Sequence, residues 1–211
     1  MEVYELIKML NNTEIGGTNT KDSYVYLQPQ YQDFFMLTEY NTNITFKDIE
    51  TLQDIVLRPT TGREKRLTKL GPYIRLKSLE SGDKIILKKY VINSQVKFLI
   101  DYIKNDSYFV LENNKKNNCY IPWNQKEFFL YYNIELQNEF TNLIIDGEDI
   151  KITNIGSISK RDDSPTKYKV VELVGLNNTQ PLILLDFVKN IIISKPIIWN
   201  KINANKASSF Q

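Results

Sequence analysis

A short charged loop lies between two apolar, strand-like segments and reads TTGREKRLTKL, from Thr60 to Leu70. Its centre, Arg63 to Arg66, carries three kinds of charged head group in four consecutive residues. Arginine can donate two hydrogen bonds to guanine, glutamate can accept from the amino group of cytosine, and lysine suits phosphate or guanine. Gly62, just ahead, permits a close approach or an unusual backbone dihedral. The alternative interpretation is a solvated hairpin loop with an internal Glu-Lys pair.

The segments around this loop predict a mainly β fold. Ile55-Val56-Leu57 leads into the loop, and Ser81-Gly82-Asp83 predicts a turn before a buried strand at Ile85. Helical periodicity is weak over the first hundred residues. Many short strands separated by polar turns are typical of a barrel or a sandwich.

Composition and charge limit the kinds of partner. The 211 residues allow one large domain or two small ones, and a net charge of only +2 excludes a generally basic coat for nucleic acid. Any basic face must be local. Between Arg58 and Lys89 there are ten Lys or Arg and three Asp or Glu, which is typical of a phosphate-binding face. Alternatively, the lysines at 84, 88 and 89 protect an edge strand against aggregation.

Several chemistries are excluded by missing residue types. The chain has no histidine, which removes Ser-His-Asp and Cys-His catalysis, and its one cysteine, Cys119, cannot form an internal disulfide or a zinc site. The N-terminus lacks a basic region and no apolar run is long enough to cross a membrane, so we expect neither a signal peptide nor a membrane partner. These features predict a cytoplasmic protein.

A second candidate binding segment runs from Gly16 to Tyr26. Two glycines free its backbone, and polar side chains follow that can hydrogen-bond, among them Thr18, Asn19 and Lys21. Tyr24 and Tyr26 would share one face of the next strand, because side chains alternate along a strand. The alternative is an ordinary surface loop.

One local pattern is that of a metal-dependent nuclease. Asp149-Ile150-Lys151 has the acid-x-lysine spacing in which carboxylates hold magnesium and a lysine lies near the attacked phosphate. The nearest upstream acid, Asp146, lies in the adjoining turn, where it is poorly placed as a separate ligand. Asp146-Gly147 itself predicts a tight hairpin turn.

A polar, low-complexity run from Asn113 to Asn118 divides the chain at a domain boundary or forms a long exposed loop. We therefore predict a first domain over residues 1–112 and a smaller β-rich accessory domain over 119–199, for dimerisation, partner docking or extra DNA contact. A flexible tail would occupy 200–211.

Two segments together resemble a known family. Residues 12–18 and 24–29, followed by Gly62-Arg63-Glu64-Lys65-Arg66-Leu67-Thr68, are similar to the N-terminal effector domain of EcoRII-type restriction endonucleases, a B3-like DNA-binding pseudobarrel. The Leu79-Glu80-Ser81-Gly82-Asp83 turn also resembles the Leu-x-x-Gly-Asp turn of that fold. The match covers the first half of the chain, and Glu64-Lys65-Arg66 is its most specific piece.

The resemblance implies a seven-stranded pseudobarrel with short helices, and two arms that clamp double-stranded DNA and read bases in the major groove. By resemblance, the N-arm is residues 16–26 and the C-arm is residues 58–69. The implied DNA-binding residues are Thr18, Asn19, Lys21, Tyr24, Tyr26, Arg58, Arg63, Glu64, Lys65, Arg66 and Lys69. Lys21 stands where the family example has a histidine, so the recognised sequence would differ. No residue after about 113 resembles the catalytic part of that enzyme.

The sequence therefore predicts a DNA-recognition component of a restriction-modification system that needs no cofactor for binding. A nuclease or motor in another domain or chain would carry out the cleavage. One alternative is a compact endonuclease whose second half cuts with Mg²⁺ and Asp146, Asp149 and Lys151. Another is a β-rich interaction module with no role in nucleic-acid binding.

Overall fold

The computed structural model describes residues 2–16, 23–115, 118–134, 140–158, 167–176, 178–195 and 199–204. The chain is mainly β with short helices and divides into two compact units, which confirms the predicted fold class. The first unit comprises residues 1–105 and 197–211, and the second comprises residues 106–196. Among the described residues, no helix is both long and apolar enough to span a membrane.

The elements follow each other along the chain with few helices between the strands. The strands are β1 (Glu2–Met9), β2 (Val25–Tyr26), β3 (Ile44–Asp48), β4 (Asp54–Thr60), β5 (Arg66–Thr68), β6 (Lys84–Ile92), β7 (Gln95–Ile103), β8 (Tyr108–Asn114), β9 (Cys119–Pro122), β10 (Phe140–Ile145), β11 (Glu148–Ile158), β12 (Lys167–Val174), β13 (Leu182–Asp186), β14 (Ile191–Ile193) and β15 (Trp199–Ala204). The helices are α1 (Gly71–Leu76), α2 (Gln125–Tyr131) and two 3-10 helices, Pro29–Phe34 and Leu37–Glu39.

The first unit is built on one curled sheet of eight strands in the order β15-β1-β6-β7-β3-β4-β5-β2. Neighbouring strands are antiparallel except for the parallel pair β3 and β7. Burial alternates along β3, where Ile44 and Phe46 are buried and Thr45 and Lys47 are exposed. This period of two places one side of β3 on the core and leaves the other in solvent, whereas β6 buries the consecutive residues Ile85, Ile86 and Leu87.

A buried ion pair between Lys77 and Asp48 lies beside this core. Asp48 ends β3, and its carboxylate accepts a 2.7 Å hydrogen-bonded contact from Lys77 Nζ, which follows α1 and is 5% exposed in its side chain. Lys77 also lies 2.7 Å from Glu50, and the hydroxyl of Thr51 donates to Asp48. Burial alone would raise the pKa of Asp48, but the bonds from Lys77 and Thr51 outweigh it and hold that pKa below its usual value. The pair therefore ties α1 to the β3–β4 turn.

The predicted domain limits differ from the two units. Residues 200–204 of the predicted flexible tail form the strand β15 together with Trp199. This strand pairs with β1, from Lys8 opposite Trp199 to Val3 opposite Ala204. Without this partner β1 would be a sheet edge with unsatisfied backbone groups. The polar run at 113–118 is the loop between β8 and β9, and the division between units lies at Asn105 and Asp106.

The second unit contains a seven-stranded sheet in the order β10-β11-β12-β9-β8-β13-β14. Its two ends meet, because Asp146 N donates to Asn190 O at 3.2 Å and Ile192 N donates to Asp146 Oδ2 at 3.3 Å. Asp146 and Gly147 both have positive φ, 54° and 79°, and form the two-residue turn between β10 and β11. This confirms the predicted tight hairpin, in the turn type that suits twisted strands.

We expect Lys77→Met to lower the free energy of unfolding by about 3–5 kcal/mol, because it leaves the Asp48 carboxylate buried without its cation. Urea unfolding monitored by circular dichroism measures the loss. Lys47→Met is the control, since the Lys47–Asp54 pair is about half exposed and its removal should cost no more than about 1 kcal/mol. Equal losses in the two variants would contradict the role of Lys77.

Candidate nucleic-acid interface

The charged loop is a hairpin connection held at its base by its two strands. β4 and β5 pair with Arg58 opposite Thr68 and Thr60 opposite Arg66. The hydroxyl of Thr68 donates to Arg58 O at 2.9 Å, and Thr61 N donates to Asn41 Oδ1 at 3.0 Å. Leu57 and Leu67 are fully buried on the core side. The charged side chains between these two leucines are therefore presented to solvent from a fixed base.

Arg66 is held on one edge and on one face. Its Nε and Nη2 atoms donate to Glu64 Oε2 at 3.2 and 2.8 Å, and its guanidinium carbon lies 4.3 Å from the centre of the Tyr24 ring. The hydrogen bond to Glu64 raises the pKa of Arg66. Both side chains of the ion pair stay more than 40% exposed. Arg66 is thus an ordered cation at the surface.

The alternative interpretation of the loop contained an internal Glu-Lys pair, but the pair in the structure is Glu64 with Arg66. Neighbouring residues in extended backbone point to opposite sides, so residues two apart share a side. Lys65 accordingly points the other way, with its Nζ 4.7 Å from the centre of the Tyr40 ring. Its backbone oxygen accepts from Leu27 N at 2.9 Å.

Gly62 is not required by the conformation of the loop. Its φ is not positive, so other residues could adopt the same backbone conformation. A Cβ atom at this position would come no closer than 3.8 Å to a neighbouring atom, the backbone oxygen of Glu64. The unusual dihedral that the sequence allowed is therefore not used. What remains is the open space that a missing side chain leaves beside the charged residues.

The second predicted segment reaches the loop through β2. Val25 and Leu27 are buried, whereas Tyr24 is half-buried and Tyr26 is 38% exposed, which confirms the predicted alternation. β2 is shorter than the sequence indicated and pairs with β5, Val25 opposite Leu67 and Tyr26 opposite Arg66. Thr18, Asn19 and Lys21 belong to residues 17–22, which lie outside the described residues.

The basic residues between 58 and 89 do not form one face. Lys77 and Lys89 are buried, and Lys89 Nζ lies 3.1 Å from Phe34 O and 3.3 Å from Glu39. Lys88 pairs with Glu5 at 3.3 Å. The edge-strand explanation also fails, because β6 lies between β1 and β7. The exposed cations of the β4–β5 region are Arg58, Arg63 and Lys69, with Lys65 and Arg66 partly exposed.

The residues of the alternative endonuclease site, Asp146, Asp149 and Lys151, lie in the β10–β11 turn and on the exposed side of β11. Asp149 and Lys151 share the exposed side of β11, opposite the buried Ile150. Asp146 accepts from the backbone of Ile192 and serves the turn. Within the described parts of the chain, no three Asp, Glu, Cys or His side chains are grouped so that they could hold a metal ion.

Sequence reasoning missed an open, mostly apolar cleft of about 680 Å³ beside Lys65. The 3-10 helix at Leu37–Glu39 forms one side of it, and Leu37 there is 86% exposed. The sequence feature that could have indicated it is the apolar run from Phe34 to Leu37. Its other walls come from Pro29, Gln32, Asp33, Phe35, Met36, Thr38 and Tyr40.

No known protein-family model matches this chain, and comparison with curated proteins yields no match.

We expect Glu64→Ala to change the free energy of unfolding by less than about 1 kcal/mol, because an exposed ion pair is screened by water and salt. Thermal and urea unfolding of the variant and the wild type measure the change. A loss above about 2 kcal/mol would mean that the Glu64–Arg66 pair mainly stabilises the hairpin.

Proposed function

We propose that this chain binds double-stranded DNA in a sequence-specific manner and reads bases in the major groove with the β4–β5 loop. It would be the recognition component of a cytoplasmic restriction-modification system with a B3-like first unit. A nuclease or motor in another domain or chain would carry out the cleavage. The observation that carries this proposal is the ordered, exposed guanidinium of Arg66.

An arginine that is ordered before binding loses less side-chain entropy when it meets its partner. The described contacts of Arg66 use its Nε/Nη2 edge, through Glu64, and its face, through Tyr24. The Nη1 and Nη2 donors on the adjoining edge have the fork geometry that matches O6 and N7 of guanine. Glu64 and Tyr24 would therefore orient Arg66 for one base pair.

Glu64 would otherwise be repelled by the phosphates of DNA. Its pairing with Arg66 offsets this repulsion, and both described bonds use Oε2. Oε1 is the atom that would accept from the amino group of a neighbouring cytosine. The recognised site should accordingly contain at least one G·C pair.

The other contacts would position the loop on the duplex. Arg58, Arg63, Lys65 and Lys69 lie on the same hairpin and suit phosphates, which carry no direct base identity. Tyr24 and Tyr26 would support the N-arm, to which the resemblance also assigns Thr18, Asn19 and Lys21.

Selection from random duplex DNA, followed by measurement of affinity for the selected duplex and its single-base variants, tests the proposal. We expect Arg66→Ala to lower the affinity for the selected duplex by about 1–3 kcal/mol and to relax one G·C position. Lys97→Ala is the charge control, because Lys97 is exposed on β7, outside the hairpin. Failure to select any sequence would overturn the proposal, and cleavage of plasmid with Mg²⁺ would favour the endonuclease alternative.

Glu64→Ala separates base reading from support of Arg66. If Glu64 reads cytosine, the variant relaxes a position next to the one that Arg66→Ala relaxes, while non-specific binding holds or tightens. If Glu64 only orients Arg66, both variants relax the same position. Affinity profiles over all single-base variants distinguish the two results. An equal loss for every duplex would contradict any role of Glu64 in specificity.

We also expect affinity to fall with salt concentration, with a slope of log K against log salt of about −4 if the four hairpin cations meet phosphates. Arg58→Ala should reduce the magnitude of this slope by about 1 without changing the preferred sequence. Lys88→Ala is the matched control, since its amine is paired with Glu5 on β1. Affinity that does not change with salt would remove the electrostatic part of the proposal.

A further inference from the structure

A second buried ion pair of the first unit lies between β1 and the turn that follows it. Lys8 Nζ of β1 lies 2.8 Å from Glu14 Oε2, and their side chains are 6% and 7% exposed. Lys8 also donates to the backbone oxygen of Met9, and Asn11 N donates to Glu14 Oε2 at 3.0 Å. The backbone of Tyr26, in β2, hydrogen-bonds the same carboxylate.

This pair is costly to bury. Desolvation lowers the pKa of Lys8 and raises the pKa of Glu14, against their mutual attraction. Buried ion pairs of this kind often contribute less stability than apolar residues of the same shape would. A role in positioning explains the pair better than a role in stability.

The position of Glu14 is specific. In the sheet, β1 and β2 are separated by β6, β7, β3, β4 and β5, so the carboxylate connects strands that are not neighbours in the hydrogen-bonded order. β2 contains two residues and pairs with β5 alone. Glu14 therefore supplies a polar link between this short edge strand and β1, in addition to the burial of Val25 and Leu27 in the core that they share with Leu6 of β1.

The position of β2 affects the charged loop, because residues in and beside β2 contact Lys65 and Arg66. Tyr26 lies opposite Arg66, Leu27 N donates to Lys65 O at 2.9 Å, and the Tyr24 ring lies 4.3 Å from the Arg66 guanidinium. A displacement of β2 would remove the aromatic face from Arg66 and a backbone bond from Lys65. The chain of contacts thus runs from Lys8 through Glu14 and Tyr26 to the loop.

We propose that the Lys8–Glu14 pair is the positioning element of the base-reading loop, holding β2 so that Tyr24 and Glu64 orient Arg66. This inference rests on the proposed function for its effect on DNA. Lys8 and Glu14 would not touch DNA, and they would act on selectivity through β2.

Three variants test the inference. Lys8→Met removes the cation and leaves Glu14 buried and unpaired. The double variant Lys8→Met with Glu14→Gln buries no charge and keeps an amide oxygen for the Tyr26 backbone. Lys77→Met is the matched control, because it breaks another buried pair of the same unit, Lys77 with Asp48, whose side chains are 5% and 0% exposed. All measurements are made at a temperature where circular dichroism shows every variant folded.

The first readout needs no DNA. The Nε–Hε resonance of Arg66, assigned by its loss in Arg66→Lys, reports the Glu64 bond and the Tyr24 ring current. We expect Lys8→Met to move this resonance towards that of an exposed arginine, and the double variant to restore it. Lys77→Met should leave it in place. A resonance unchanged in Lys8→Met, or moved equally by Lys77→Met, would overturn the inference.

The second readout is the affinity ratio between the selected duplex and a scrambled one. We expect Lys8→Met to lower this ratio about tenfold, within what one good base contact supplies, and the double variant to return it to within about twofold of wild type. Lys77→Met should stay within about twofold. If wild type shows no selectivity, the proposed function fails, while the Arg66 resonance still decides the positioning role. If Lys8→Met does not fold, Glu14→Ala takes its place, because it removes the acceptor for the Tyr26 backbone. The Arg66 resonance and the affinity ratio of Glu14→Ala are then compared with those of the double variant, and equal values in the two would overturn the inference.

Discussion

Burial of Leu67 decides which way the charged loop faces. Leu67 lies opposite Val25 on one side and Pro59 on the other, and all three are buried. A slip of one residue would turn Leu67 to solvent and bring Arg66 or Thr68 to the core, which the loss of apolar burial and the desolvation of a cation both oppose. The register is therefore set by the core, and Arg66 is exposed as a consequence of it.

Several lysine charges of the first unit are neutralised inside it by carboxylates. Three lysines among its described residues are buried, Lys8, Lys77 and Lys89, and each has a carboxylate within 3.3 Å. Their charges pair with Glu14 in the turn after β1, with Asp48 at the end of β3 and with Glu39 in the second 3-10 helix. Among the described residues, five cations at the surface of the first unit lie on or directly after the β4–β5 hairpin: Arg58, Arg63, Lys65, Arg66 and Lys69. A charge count along the chain overestimates the basic face, because it cannot separate these two groups.

The second unit shows how a local motif can be used by the fold for another purpose. Asp146, Asp149 and Lys151 have part of the spacing of a metal-dependent nuclease. Asp146, however, closes the curled sheet, where its backbone and carboxylate bond to Asn190 and Ile192. The tight turn that places it there is the same Asp-Gly pair that makes β10 and β11 a hairpin.

The sequence by itself determined the features that depend on neighbours in the chain. The mainly β class, the outward Tyr24 and Tyr26, and the Asp146-Gly147 turn all follow from period-two alternation and turn chemistry. The tertiary structure alone decided which distant segments meet: β2 with β5, β15 with β1, and Lys89 with Glu39, fifty positions apart. Strand partners and the burial of a charge depend on the whole sheet, since a lysine is tolerated inside only where the fold brings a carboxylate to it. For this reason the charged loop could be predicted from the sequence, whereas the ring over Arg66 and the buried pair behind β2 could not.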